Sequence, residues 1–462
     1  MSLVGARVTA PATTLRWPLV GLVCLGVWLH AADALVATTV MPSAIADIGG
    51  LPWIYWTIAL YELGSIVAGA VAGLVSLRFG LGAAMAASAV VYVLGCVASA
   101  VAPNMAIMLG GRLLQGLGGG AMMALSYVGV SQRFAEELWP RVLALVSGVW
   151  GVSALIGPLV GGAFASAGFW RGAFWAFAAQ GLVVVVLAPI LIGAGVAPPA
   201  TRPALPGRQI AALAAGVLAI SAAGVQTEAR LTIVLAALGL GALFLVLRLE
   251  QAAPERLFPP RPLSLQVPWG SGYAMVLALA TATVSFTVYG PLLMAKLFGT
   301  TPLAAGFMVA SESVAWTLAA IVFARAPAAR EAALIRIGAL LVTGGIAGLA
   351  FAMPRGPVWT LLPWTFLQGA GFGMCWAFLL RRIVAAVPAG ERERASAAMP
   401  TFQMLGYAVG AAASGIVANS LGLVDGAPAE VVRAVALWVF AAFLPLAPIG
   451  IAAAFRLTAE PA

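Results

Sequence analysis

Fourteen long apolar segments follow one another along this sequence, and they constrain its fold more than any other feature. A run of about 20 apolar residues crosses the hydrocarbon core of a bilayer as a helix, which satisfies its own backbone hydrogen bonds there. Only 8% of the residues are charged and 63% are hydrophobic, whereas soluble domains carry about 25% charged residues. The sequence therefore predicts an all-α polytopic membrane protein with fourteen transmembrane helices.

The apolar segments fall into groups of six, two and six, and proline-rich polar stretches flank the middle pair, VAPPATRPALPGR before it and RLEQAAPERLFPPRP after it. The segments are expected at 17–40, 52–77, 81–102, 104–131, 139–167, 171–195, 208–226, 230–249, 269–295, 303–325, 332–353, 357–381, 395–420 and 431–456. We therefore expect an N-terminal six-helix bundle in residues 1–196, a linker and two-helix hairpin in 197–250, and a C-terminal six-helix bundle in 251–462. The hairpin, which lacks intramembrane charges, is expected to lie at the periphery and face lipid.

The net charge of +9 follows the membrane topology. With the N-terminus in the cytoplasm, Arg112 lies deep within a predicted helix, and the loops on the far side hold only Arg171, Arg230, Lys296, Arg355 and Arg433 of the 24 Lys and Arg residues. The remainder lie in cytoplasmic segments, as the positive-inside rule requires. Both termini are therefore predicted to be cytoplasmic, and nucleic acid is excluded as the partner.

The two groups of six segments repeat each other. LQGLGGGAMMA at 114–124 and LQGAGFGMCWA at 367–377 share Leu, Gln, three Gly and the final Ala at an offset of 253 residues. Earlier in each half the offset is 249–250, which pairs Pro42 with Pro291 and Glu62 with Glu312. Such repeats predict two bundles related by a pseudo-two-fold axis.

Two related six-helix halves resemble the major facilitator superfamily, and four motifs resemble its fourteen-helix branch of drug:proton antiporters. The motifs are DALVATTVMP from residue 33, RLLQGLGGG from 112, SALIGPLVGG from 153 and WRGAF from 170. The resemblance implies a secondary transporter with its substrate site between the halves near mid-depth. It also implies alternating access, protons as the coupling ion, and a bacterial inner membrane.

The loop GLVSLRFGLG departs from the superfamily's gating pattern. Gly73, Arg78 and Gly80 remain, but Leu77 stands where an acid belongs, which puts the usual gating salt bridges in doubt. Further gating and packing residues are predicted in the fifth helix, since small residues let helices approach closely and proline bends a helix. These residues are Gly157, Pro158, Gly161 and Gly162.

Ionisable residues inside the predicted helices are the candidates for proton coupling, because charge is costly in a membrane. Asp33, Glu62 and Arg112 each lie roughly 12–15 Å from a helix end, at one level near the midplane. Arg112 is interpreted either as a permanent ion partner of Asp33 or as a group that stabilises an ionised carboxylate and releases it when the helices move. Both interpretations stay open.

Glu62 and Glu312 occupy predicted matching positions in the two halves. Either each is protonated and hydrogen-bonded within its bundle, or both face a shared cavity. Two carboxylates facing one cavity disfavour double ionisation, so at least one would hold a proton near neutral pH and exchange it. With Asp33 and Arg112 they form the predicted proton-coupling set.

The predicted substrate cavity consists of polar residues in the predicted helices, namely His30, Tyr61, Gln115, Gln368 and Gln403. His30 is interpreted either as a core histidine or as a proton relay. The three cysteines lie in predicted helices and there is one histidine, so neither a metal site nor a cofactor is expected. Enzyme motifs are absent from the sequence, and no catalytic role is predicted.

The predicted function is proton-coupled export of small amphipathic compounds, cationic or neutral, by a monomer in the lipid bilayer. The alternative is a metabolite or lipid carrier of the same fold with different or no proton coupling. A third hypothesis is a membrane receptor or assembly partner that does not transport.

Overall fold

The computed structural model describes residues 14–50, 53–193, 205–224, 226, 228–300, 302–423 and 427–459. These residues form an all-α structure whose helices we number in chain order. They are α1 Trp17–Ile48, α2 Ile54–Phe79, α3 Leu81–Ala100, α4 Met105–Arg133, α5 Trp139–Ser166, α6 Arg171–Ile192, α7 Gly207–Gly224, α8 Ala229–Ala252, α9 Pro268–Phe298, α10 Pro302–Phe323, α11 Glu331–Ala352, α12 Leu362–Ala386, α13 Arg392–Ser420, α14 Ala429–Ala441 and α15 Ala447–Leu457.

Fourteen stretches of the described chain are long and apolar enough to cross a membrane, which confirms the predicted number of spans. The last predicted segment, 431–456, differs in detail because it consists of two helices, α14 and α15, joined by the 3₁₀ turn Leu444–Leu446. Pro445 explains the break, since proline has no backbone N–H and its ring clashes with the preceding turn. The first helix also runs further than predicted, from Trp17 to Ile48 rather than to residue 40.

The chain divides into two compact units. The first comprises Met1–Ala214, Arg248–Pro260 and Val387–Thr401, and the second comprises Ala215–Leu247, Arg261–Ala386 and Phe402–Ala462. Helix α13 therefore begins in the first unit and ends in the second. The predicted sequence boundaries at residues 196 and 250 stay a prediction.

In the first unit, α4 packs closely against α2 and α3 through its glycines. A Cβ added at Gly116 would collide with the Tyr61 carbonyl of α2, and one at Gly118 would lie 2.6 Å from the Ser88 carbonyl of α3. Glycine at these positions allows the helix backbones to touch. The glycine-rich sequence of α4 is thus explained by packing on two sides.

The second unit repeats this packing. A Cβ at Gly369 of α12 would collide with the Glu312 carbonyl of α10, and one at Gly371 would lie 2.6 Å from the Gly338 carbonyl of α11. The predicted internal repeat is therefore present in the helix contacts themselves.

These contacts also correct one predicted pairing. Gly116 and Gly369 correspond at the 253-residue offset. Gly116 meets Tyr61, whereas Gly369 meets Glu312. Glu312 therefore occupies the position of Tyr61 rather than that of Glu62, and the predicted match between the two glutamates is wrong by one residue.

The hairpin formed by α7 and α8 lies largely in the second unit. The Asn419 side chain of α13 donates a hydrogen bond to the Gln226 carbonyl at 3.1 Å, which ties the turn of the hairpin to that helix. Helix α8 exposes large apolar side chains such as Leu238 and Phe244. Such exposure is expected of a helix that faces lipid.

Candidate functional site

Asp33 of α1 lies at the centre of a buried polar network in the first unit. Arg112 of α4 donates from Nη1 to its Oδ1 at 3.1 Å, and both side chains are 1% exposed. Gln115 donates from Nε2 to Oδ1 at 3.2 Å and to Oδ2 at 3.0 Å. The predicted contact between Asp33 and Arg112 is confirmed, and Gln115 is found to complete it.

Gln115 uses its amide oxygen as well. Its Oε1 accepts from Arg112 Nη1 at 3.3 Å and from Ser99 Oγ of α3 at 2.9 Å, while its Nε2 lies 3.4 Å from Cys96 Sγ. Gln115 thereby links α1, α3 and α4 through one amide group. Sequence reasoning missed Ser99 and Cys96, whose only signal is their position one turn apart in an apolar helix.

Arg112 is fixed on its other side by α2. Its Nε donates to the Thr57 carbonyl at 3.3 Å, and its guanidinium carbon lies 4.2 Å from the centre of the Tyr61 ring. A guanidinium over an aromatic face gains a favourable cation–π interaction. The single cation of this network is therefore satisfied by a carboxylate, an amide, a carbonyl and a ring.

His30 of α1 belongs to the same network through Tyr61. The Tyr61 hydroxyl donates to the His30 carbonyl at 2.8 Å and lies 3.1 Å from His30 Nδ1. The imidazole stacks on the Tyr61 ring and meets the edge of Trp150. Since His30 is 2% exposed, it is a core residue in this arrangement, and its role as a proton relay stays a prediction.

The residues predicted to line a substrate cavity are all buried within their units. His30, Tyr61 and Gln115 lie in the first unit, while Gln368 of α12 and Gln403 of α13, whose Nε2 donates to the Tyr407 hydroxyl at 3.0 Å, lie in the second. Contact of these side chains with a substrate stays a prediction.

Glu62 and Glu312 differ in their surroundings. Glu62 is half-buried beside the Asp33 network, and within the described residues its carboxylate has no hydrogen bond or salt bridge. Glu312 is also half-buried, but it accepts a hydrogen bond from Gln368 Nε2 at 2.8 Å. Among the described residues, the Glu312 carboxylate is thus held by an amide, whereas the Glu62 carboxylate is not.

The segment 73–82, which departs from the superfamily's gating pattern, makes a close backbone contact in the first unit. A Cβ at Gly73 of α2 would lie 2.9 Å from the Cα of Arg394, near the start of α13. Arg394 pairs with Glu391 at 2.9 Å and with Glu255 at 3.4 Å. The carboxylates that pair with Arg394 thus belong to Glu255 and Glu391. Position 77 is a leucine and supplies no carboxylate.

The remaining loop residues act at the turn. Gly80 ends α2 with a φ of 82°, a conformation that glycine adopts without strain. The Arg78 guanidinium lies 5.4 Å from the centre of the neighbouring Phe79 ring. A gating role of Gly73, Arg78 and Gly80 stays a prediction.

The glycines of α5 differ among themselves. A Cβ at Gly157 would lie 2.9 Å from Leu35 Cβ, and one at Gly161 would collide with Thr39, so both allow α1 and α5 to approach closely. A Cβ at Gly162 would meet nothing within 4 Å, so this glycine makes none of the close helix contacts predicted for it, and its gating role stays a prediction. The Pro158 side chain lies outside the described part of the structure.

An ion pair joins the ends of α1 and α6. Asp47 pairs with Arg171 and accepts from Trp170 Nε1 at 3.2 Å, and Arg171 also donates to the Ala102 carbonyl at 3.0 Å. These hydrogen bonds lower the pKa of the Asp47 carboxyl. The WRGAF motif thus braces the ends of α1 and α3, beside a cavity of about 460 Å³.

The described residues contain no group of three or more His, Cys, Asp or Glu side chains that could hold a metal ion.

Comparison with known proteins gives one family. The family model described as Major Facilitator Superfamily matches residues 23–353. A probable multidrug-efflux transporter, found in two strains of Mycobacterium tuberculosis, is 33% identical over 454 residues, which cover 94% of this chain and 93% of the relative.

Solved structures agree in fold. The human organic anion transporter has a TM-score of 0.66 at 16% identity, covering 93% of this chain and 99% of that one. The proton:xylose symporter has a TM-score of 0.65 at 16% identity, covering 93% and 94% of the two chains. At this identity the likeness concerns the fold alone.

Proposed function

The chain belongs to the major facilitator superfamily, and from this premise we propose that it exports small amphipathic compounds, cationic or neutral, in exchange for protons. That it is a multi-pass membrane transporter of small molecules rather than an enzyme follows from the family. The coupling ion, the substrate class and the direction are the proposed part.

The buried Asp33–Arg112 pair carries the proposal. A carboxylate with 1% exposure is stable as an anion only while a cation and hydrogen-bond donors surround it. Protonation of Asp33 removes the charge that holds Arg112, and departure of Arg112 favours protonation of Asp33. The proton and the α1–α4 contact are therefore linked, which is what exchange by alternating access requires.

Glu62 supplies a second carboxylate next to this pair. Because no described residue binds it and it is half-buried, water or a cationic substrate can reach it. A substrate cation at Glu62 and a proton at Asp33 would then be coupled through Tyr61, the sequence neighbour of Glu62, whose ring lies against the Arg112 guanidinium that pairs with Asp33. With Glu312 these residues form the proposed proton-coupling set.

The substrate class is supported by a relative. The protein of Mycobacterium tuberculosis that shares 33% identity over nearly the full length is described as a probable multidrug-efflux transporter. We extend that class to this chain, with a bacterial inner membrane, cytoplasmic termini and a monomeric state as further parts of the proposal.

The test is ethidium accumulation in proteoliposomes with an imposed pH gradient. The purified chain should accumulate this amphipathic cation against its gradient, and Asp33→Asn should lower that accumulation at least about tenfold, since a neutral side chain cannot exchange a proton. Asp47→Asn, which breaks the exposed ion pair at the end of α1, is the matched control and should stay near wild type.

Two results would overturn the proposal. Uphill accumulation by Asp33→Asn with an unchanged pH profile would remove Asp33 from the coupling. Transport that ignores the pH gradient in the wild-type protein would favour the metabolite or lipid carrier instead.

A further inference from the structure

A buried hydrogen-bond acceptor is left without a partner in the second unit. The side chain of Gln368 is fully buried, and its Oε1 accepts no hydrogen bond, while its Nε2 donates to Glu312. Buried polar atoms are nearly always paired, and each exception calls for an explanation.

Comparison with the first unit shows which hydrogen-bond donors the Gln368 oxygen lacks. Gln368 corresponds to Gln115, whose Oε1 accepts from Ser99 and Arg112. Gly95 and Gly345 make matching contacts with the backbone nitrogens of these two glutamines. The register that they set, 250 residues apart, places Leu349 where Ser99 stands.

The second donor is lost at the position of Arg112. At the offset of 253 that position is Thr365. Its hydroxyl donates to the Leu362 carbonyl and lies 2.7 Å from the Ser311 hydroxyl instead of meeting Gln368. The second unit therefore has a glutamine at the position of Gln115 but a threonine at the position of Arg112.

The carboxylate that binds the glutamine lies on a different helix of the repeat in the second unit. Gly157 lies next to the Ala32 carbonyl in the first unit, and Gly410 lies next to the Thr281 carbonyl in the second. This register puts Ala282 at the place of Asp33. The carboxylate that binds the glutamine comes instead from Glu312, at the place of Tyr61.

Glu312 and the Gln368 carbonyl thus form an acceptor pair without a cation. No salt bridge to Glu312 occurs among the described residues of this unit, and its hydrogen-bond partner is an amide. Two acceptors side by side in a membrane-spanning helix pair favour a ligand that donates hydrogen bonds and carries positive charge.

An aromatic side chain, Trp316, lies one helical turn from Glu312. Trp316 follows Glu312 by four residues, so both point to the same side of α10. With 3.6 residues per turn, Trp316 is opposite the exposed Phe307 and Leu318, which are 61% and 53% exposed. Both Glu312 and Trp316 are half-buried.

The indole of Trp316 is held in place by two neighbours. It stacks on Phe372 with ring centres 4.9 Å apart and meets Trp376 at 5.4 Å. A rigid aromatic face attracts cations and packs against apolar rings.

We propose that Glu312, Gln368 and Trp316 bind a protonated amine carried on an aromatic body. The ammonium group donates hydrogen bonds to the Glu312 carboxylate and to the Gln368 carbonyl, and the aromatic body packs on Trp316. The inference rests on the proposed export function only in that the amine is the cargo. An anion is disfavoured at this site, because the Glu312 carboxylate and the Gln368 carbonyl oxygen both accept hydrogen bonds and the Gln368 Nε2 already donates to Glu312.

Three probes of one shape separate charge from hydrogen bonding. They are 1-naphthylmethylammonium, its N,N,N-trimethyl derivative and 1-naphthylmethanol. Calorimetric titration of the purified full-length chain in detergent, with no pH gradient, should rank the ammonium first, the trimethyl derivative second and the alcohol last. Acidification should weaken binding of the ammonium, because a proton competes for the same carboxylate.

Variants assign the roles. Glu312→Gln should weaken ammonium binding about tenfold or more and remove its pH dependence, since a hydrogen bond to a charged group is lost. Gln368→Leu should reduce the difference in binding affinity between the ammonium and its trimethyl derivative. Trp316→Leu should weaken all three probes. Glu430→Gln, an exposed carboxylate of the same unit, is the matched control and should bind like wild type.

The inference is overturned if Glu312→Gln binds the ammonium as tightly as wild type, or if the alcohol and the ammonium bind equally. Because the titration uses no gradient, failure here with intact gradient-driven ethidium transport would refute the amine site and leave the export proposal standing. Amine binding without gradient-driven transport would refute the export proposal alone.

Discussion

Arg112 of α4 donates to the Asp33 carboxylate of α1 at 3.1 Å, and each side chain is 1% exposed. Neither charge can reach water in this arrangement, so each depends on the other and on Gln115, which donates to both carboxylate oxygens. Removal of one member of a buried pair leaves an uncompensated charge and costs about 3–5 kcal/mol. The contact therefore holds α1 and α4 together as long as both charges persist.

Arg112→Ala should destabilise the protein more than the double change Arg112→Ala with Asp33→Asn. The single variant strands a buried carboxylate at a cost of about 3–5 kcal/mol, and the second change removes that charge. Thermal unfolding of the purified proteins in detergent measures the difference. Arg171→Ala breaks an exposed pair and is the control, with a small expected effect. Additive damage in the double variant would show that the two charges do not depend on each other.

The contact between α2 and α4 makes a second prediction. Gly116→Ala should lower the free energy of unfolding by about 1–3 kcal/mol, because the new methyl group meets the Tyr61 carbonyl and forces the helices apart. Gly110→Ala is a matched control on the same helix, since its Cβ would meet nothing within 4 Å. It should be neutral or slightly stabilising, because alanine favours helix by about 1 kcal/mol over glycine. Equal effects of both changes, measured by denaturant unfolding, would contradict this account of the packing.

Hydropathy and length suffice to predict the membrane spans, because a bilayer of fixed thickness demands long apolar helices. They do not predict the break between α14 and α15. The apolar character continues through Pro445, so only the geometry of the proline marks the end of a helix. The predicted span is continuous in hydropathy and interrupted in backbone hydrogen bonding.

The ion pair at Asp33 is predictable because unpaired charge in a membrane is costly and two opposite charges lie at one level. Ser99 is not predictable in the same way, because an uncharged side chain costs little in a helix and gives no signal of its partner. The matching of Glu312 fails for another reason. The offset between the halves changes along the chain, and only the contact of Gly369 with the Glu312 carbonyl fixes it.

The ion pair at the end of α1 makes a pH-dependent prediction. Hydrogen bonds from Arg171 and Trp170 lower the pKa of Asp47 below its ordinary value of 3.8. A carboxyl whose pKa is lower in the folded state contributes stability above its unfolded pKa and loses it as the pH falls through the lowered value. The difference in melting temperature between wild type and Asp47→Asn should be fully present at neutral pH, begin to shrink as the pH approaches 3.8, and disappear only below the lowered pKa of the folded state. A difference that persists unchanged in acid would assign the effect to packing rather than to charge.

The topology is testable at two exposed positions in different loops. With cytoplasmic termini, an odd number of crossings precedes Glu228, which lies between α7 and α8, and an even number precedes Gly390, which lies between α12 and α13. Both positions are exposed, and a side chain at Gly390 would meet nothing within 4 Å. In a background without Cys24, Cys96 and Cys375, Glu228→Cys should react with a membrane-impermeant maleimide in intact cells. Gly390→Cys should react only after the cells are permeabilised. Since the distribution of Lys and Arg residues sets the predicted orientation, the reverse labelling pattern would invert the topology and contradict the assignment of both termini to the cytoplasm.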